Sequence, residues 1–89
     1  MTSAILPITN NLLRRPIVEQ AVGWSRSTLY RNIKKGLFTK PVHIGGERVA
    51  WPASEIQSIN QARIAGKSDA EIKQLVVRLE AARLAIQQT

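Results

Sequence analysis

The 89-residue sequence predicts a mainly α fold with a small β-hairpin wing and a further C-terminal helix. Three observations carry that prediction. Two short segments with apolar residues at helical spacing meet at Gly23. Two alternating β-branched runs flank Gly45-Gly46. A capped segment after Ser68 repeats apolar residues every three or four positions.

Taken in order, residues 1–12 read as an N-terminal arm, because Asn10 and Asn11 favour turns and the apolar residues there show no clear period. A first helix starts at Pro16, since proline suits the first helical turn. Ile17, Val18, Ala21 and Val22 form its apolar face, and Gly23 ends it by accepting the left-handed conformation. After Trp24, Ser25 is a good N-cap for a second helix from about Arg26 to Lys35, stopped by Gly36. Leu29 and Ile33 point one way on that helix. Ser27, Thr28, Arg31, Lys34 and Lys35 fan out on the other side. Two helices joined by a tight glycine turn make a helix-turn-helix.

"PVHIGGERVAW" follows. Val42 and Ile44 alternate with His43, and Val49 and Trp51 with Ala50, so a hairpin turns at the glycine pair with Glu47 and Arg48 near its tip. Pro52 opens a third helix, anchored by Ile56 and Ile59 and ended by Gly66. Residues 13–66 thus form a winged helix-turn-helix domain, and 67–89 a C-terminal helix. "SDAE" at 68–71 is a capping box for that last helix, whose apolar positions are Ile72, Leu75, Leu79, Ala82 and Ile86. A lone helix of this length is marginal in water, so the stripe must be buried. Val76 and Val77 widen it, which favours docking on the third helix through Ile56 and Ile59. Any self-association is then weak and promoted by the binding partner that the charge distribution implies.

Composition excludes several classes. There is no cysteine, so disulfides and thiolate metal sites are ruled out. The N-terminus has no basic region and Pro7 interrupts its apolar stretch, so it reads as neither a signal peptide nor a membrane span. A soluble, cytoplasmic protein is expected. His43 is the lone histidine and has no carboxylate at a meaningful spacing, and no glycine-rich loop leads from a strand into a helix. No catalytic residue, metal ligand, cofactor or small-molecule ligand is expected.

The charge map points to a polyanion. The net charge is +7, and residues 14–48 hold eight Lys/Arg against Glu19 and Glu47, a net of +6. Every aromatic residue (Trp24, Tyr30, Phe38, Trp51) lies in or next to that stretch. The second helix has no acid from Ser25 to Gly36. The DNA major groove admits such a helix, with Arg31 placed for guanine O6/N7, Ser27 and Thr28 short enough for close approach, and Lys34 and Lys35 suited to phosphates. Arg48 on the wing fits the minor groove or phosphates, and Arg14 and Arg15 fit backbone phosphate. Both tryptophans read as core. RNA recognition lacks a motif or an exposed aromatic platform. A protein-interaction module of antitoxin type, working through the C-terminal helix with DNA binding secondary, remains the alternative.

"RRP", "GWSRSTLY", "GLFTKPV" and "RVAWPASEI" stand in one order across positions 12–56. Together they resemble the AlpA family of prophage regulatory proteins, within the wider MerR-like, excisionase-like winged-helix group. The resemblance implies a double-stranded-DNA-binding regulator of a phage, prophage or genomic island, acting on integrase genes or as an excisionase (a recombination directionality factor). It also implies that Ser25, Arg26, Ser27, Thr28, Tyr30 and Arg31 form the recognition-helix motif and Arg48 the wing contact. At Ile59-Asn60 it implies a more apolar pair than this chain carries.

Overall fold

In the computed structural model of the protein, residues 11–87 are described, with side-chain surroundings as far as residue 84. The chain order is β1 (Leu12–Arg14), α1 (Arg15–Val22), α2 (Arg26–Lys34), β2 (Val42–Gly45), β3 (Arg48–Pro52), α3 (Ala53–Ile64) and α4 (Asp69–Gln87). This is the expected winged helix-turn-helix with a C-terminal helix, and it has one strand more than the sequence suggests.

That strand is β1, which pairs antiparallel with β3 in the register Leu12 to Pro52 and Arg14 to Ala50. Of the expected arm, residues 1–10 lie outside the described residues, and Leu12 is already in the sheet. The strand order β1-β3-β2 makes β3 central. The hairpin itself is irregular. The β2–β3 register slips between His43 and Gly45, so Ile44 faces outward and is exposed rather than sharing the inner face with Val42.

Local chemistry sets the helix ends. Gly23 has φ 74° and donates its N–H to the Glu19 carbonyl at 2.9 Å, a left-handed stop that a side chain would strain. Ser25 caps α2, its Oγ accepting the Thr28 N–H at 3.3 Å. The Ser68–Glu71 capping box is complete, with Glu71 N–H on Ser68 Oγ at 3.2 Å and Ser68 N–H on Glu71 Oε1 at 3.0 Å. Those hydrogen bonds from Ser68, helped by the charge on Lys67, hold the Glu71 carboxyl below its ordinary range.

One core joins all the helices. Val18 of α1, Leu29 of α2, Leu37 and Phe38 of the α2–β2 connection, Trp51 of β3, Ile56 and Ile59 of α3, and Ile72 and Val76 of α4 are buried together. Helix α4 therefore docks on α3 as expected and completes the core. Its inward residues are Ile72 and Val76, with Leu75 and Leu79 at the margin, while Ala82 is exposed. Asn60 shows why a polar residue follows Ile59. Its Nδ2 donates to the Ala21 carbonyl at 3.0 Å, tying α3 to the end of α1. Glu55 is buried and takes a bidentate pair from Arg83 at 2.7 Å, a bond that raises the Arg83 pKa above its ordinary value.

Candidate nucleic-acid interface

Helix α2 presents a polar face because its apolar residues fall on one side. Leu29 is fully buried and Ile33 partly so, which turns Ser27, Arg31, Lys34 and Lys35 outward into solvent. Arg26 is exposed on the first turn. Thr28 is half-buried, and its Oγ1 accepts from the Ser25 hydroxyl at 3.1 Å, so this pair serves the cap as well as the surface.

Electrostatics single this face out. No Asp or Glu occurs between Glu19 and Glu47 in the chain. Among the described residues, Arg26, Arg31, Lys34 and Lys35 have no ion-pair partner. Unpaired cations on a rigid helix set up a positive field that solvent screens only beyond about 8–10 Å. Arg14 is likewise exposed and unpaired among the described residues. Arg15 is half-buried, and its Nε donates to Glu19 Oε2 at 3.0 Å, so the neighbouring arginines differ in their freedom.

A run of aromatic contacts fixes α2 relative to the sheet. Trp24 meets Phe38 edge-on at 5.6 Å between centroids, Phe38 meets Trp51 at 6.5 Å, and Tyr30 of α2 meets Trp51 at 6.5 Å. Trp51 is fully buried and its Nε1 donates to the Thr39 carbonyl at 2.8 Å. Tyr30 is 37% exposed, so one side of its ring packs and the rest borders the polar face. Trp24 takes the expected core role at its margin: it is half-buried, packs against the core beside Phe38, and has the Arg63 guanidinium 5.9 Å from its ring centroid.

The wing tip holds Gly45 at φ 133° and Gly46 at φ 56°, a turn only glycines adopt comfortably. Arg48 follows it, exposed at the start of β3 and opposite Gly45. Three residues along β3 lies Trp51, so the strand that carries Arg48 is the one against which Tyr30 packs. The buried indole is thus one link between α2 and the strand that carries Arg48. Lys40, exposed between α2 and β2, was not singled out by sequence, although it lies in the same acid-free run. The described residues contain no cluster of His, Cys, Asp or Glu fit to hold a metal, and no described helix is long and apolar enough to cross a membrane.

Comparison with known proteins gives two findings. The family model for the Prophage CP4-57 regulatory protein (AlpA) matches residues 11–64, from β1 to the end of α3. An uncharacterized protein, ORF88 of Enterobacteria phage P4, is 47% identical over 55 residues, which cover 62% of this chain and 62% of that protein. The chain thus aligns with under two thirds of that relative's length. No solved structure matches significantly.

Proposed function

This chain belongs to the AlpA family of prophage regulatory proteins, and we propose on that premise that it is a sequence-specific regulator of a phage, prophage or genomic island that binds duplex DNA. Its targets are an integrase promoter, an attachment region, or both. The observation that carries the reading is the outward face of α2, where Ser27, Arg31, Lys34 and Lys35 lie together with no acid and no ion-pair partner among the described residues.

In this reading α2 enters the major groove. The Arg31 guanidinium donates two N–H groups to guanine O6 and N7. Ser27 and Thr28 let the backbone approach, and Ser25 and Arg26 hold the first turn against the strand. Lys34 and Lys35, one turn later, neutralise phosphates, and each neutralised phosphate releases counterions. The Tyr30 hydroxyl borders the same face. Arg48 reaches the adjacent minor groove or its phosphates, and Arg14 and Arg15 reach the backbone before α1. No step of this scheme is catalytic. The protein acts by occupancy, in the cytoplasm, at its site.

Footprinting on the DNA that flanks its own gene and any neighbouring integrase gene tests the proposal. Protected repeats beside an attachment site support an excisionase role, and protection confined to a promoter supports transcriptional control. Uniform, sequence-independent protection would remove the claim of specificity.

A further inference from the structure

The seven residues that join α2 to β2 form no regular structure, yet several of their peptide groups are held by partners. Leu37, Phe38 and Thr39 are buried. The Thr39 carbonyl accepts from Trp51 Nε1 at 2.8 Å. The next peptide groups are held from α4: the Lys40 N–H donates to Glu80 Oε2 at 2.8 Å, and the Lys40 carbonyl accepts from Arg83 Nη2 at 2.7 Å. Glu80 and Arg83 stand three apart on one helix face, so a single turn of α4 grips both ends of one residue's backbone. Arg83 is itself fixed, because its Nε and Nη2 also donate to the two oxygens of buried Glu55 at the start of α3.

The two clamping residues, Glu80 and Arg83, lie outside the matched family segment, which stops at residue 64. It nevertheless acts on the segment that links the two elements assigned to DNA. The core and the Tyr30–Trp51 contact already hold the base of the wing near α2. A connection with loose peptide groups would still leave the wing's position free to vary, and simultaneous contact by both would then carry an ordering cost. We propose that Glu80 and Arg83 of α4 are positioning residues for DNA binding, which lock the Lys40 peptide and so set the wing against the recognition helix. The proposal rests on the assignment of α2 and Arg48 to DNA. It makes α4 part of the binding unit without touching the nucleic acid.

Two substitutions separate geometry from charge. Glu80→Asp keeps the charge and shortens the side chain, so the bond to Lys40 is lost. Glu80→Gln loses the charge and keeps an acceptor. In the free protein, hydrogen exchange at the Lys40 amide should quicken about tenfold in Glu80→Asp, as expected for losing one hydrogen bond to a charged group, and by less in Glu80→Gln, which keeps a neutral acceptor at full reach. Affinity for a footprinted duplex should fall in Glu80→Asp and hold or rise in Glu80→Gln. Arg48→Ala should also cost less in the Glu80→Asp background than alone, because a loosened wing has less to lose. Faster exchange with unchanged affinity, or costs that simply add, would make the clamp structural only and overturn the inference. Unchanged exchange in Glu80→Asp would overturn it at the first step. If the wild type binds no duplex at all, the DNA assignment fails first, and it takes this inference with it whatever the exchange data show.

Discussion

The two halves of the molecule share one core and treat charge in opposite ways. In the half from β1 through the wing tip, the cations of α2 are left without partners among the described residues, as are Arg14, Lys40 and Arg48. In the α3–α4 half every acid is engaged: Glu55 with Arg83, Asp69 with Arg63 at 3.5 Å, Glu71 with Ser68 and Lys67, and Glu80 with the Lys40 amide. Compensated charge of the second kind serves the fold. Uncompensated charge repels itself and costs stability, a cost that the proposed DNA contact would offset on α2.

The contrast breaks most severely at the residue both halves lean on. Trp51→Ala should cost about 3–5 kcal/mol and unfold the domain, because it removes a fully buried ring that touches Phe38 and Tyr30. Thermal melting reads this directly. A folded Trp51→Ala protein that had lost only DNA binding would put the indole at the interface instead of the core.

In the compensated half, Arg83→Met should destabilise by about 3 kcal/mol, since it strands the buried Glu55 carboxylate. Adding Glu55→Leu should restore most of that loss. Equal melting temperatures for the single and double variants would show that the pair contributes packing rather than charge. In the uncompensated half the sign of the test differs. Arg48→Ala should weaken DNA binding with little change in melting temperature, because the side chain is exposed and makes no bond within the described residues. A clear drop in melting temperature would assign it a structural role. The smallest effect belongs to Thr39→Val. The Thr39 hydroxyl is buried without a partner among the described residues, so an isosteric apolar replacement should leave stability unchanged or slightly raised in denaturant unfolding.

What the sequence made legible follows the same division between local and distant causes. Gly23, the Ser25 cap and the Ser68–Glu71 box act within four residues, and each appears where the residues place it. The docking of α4 on α3 was legible from the width of its apolar stripe. That Val76 is buried while Val77 and Ala82 stay exposed was not, because contact with a particular neighbour decides which edge of a wide stripe is covered. Strand β1 was illegible for a related reason. Three residues carry no period, and the strand exists only because Leu12 and Arg14 find partners some forty positions away on β3. The bulge that exposes Ile44 and the half-open Trp24 also depend on neighbours remote in sequence. For the candidate interface, helical spacing was enough to bring Ser27, Arg31, Lys34 and Lys35 to one face. The Glu80–Lys40–Arg83 clamp spans forty residues or more of chain and left no local signature.

On the proposed reading the unpaired cations of α2 read the DNA sequence, and the unpaired cations of α4 do not. The most direct test compares two arginines that are both exposed and unpaired among the described residues, Arg31 on α2 and Arg78 on α4. Each is changed to alanine, and each protein is titrated against a footprinted duplex and a scrambled duplex at one salt concentration. Arg31→Ala should lose about 1–3 kcal/mol of preference for the footprinted duplex, and Arg78→Ala none. Equal small losses from both variants, with sequence preference intact in each, would contradict that reading.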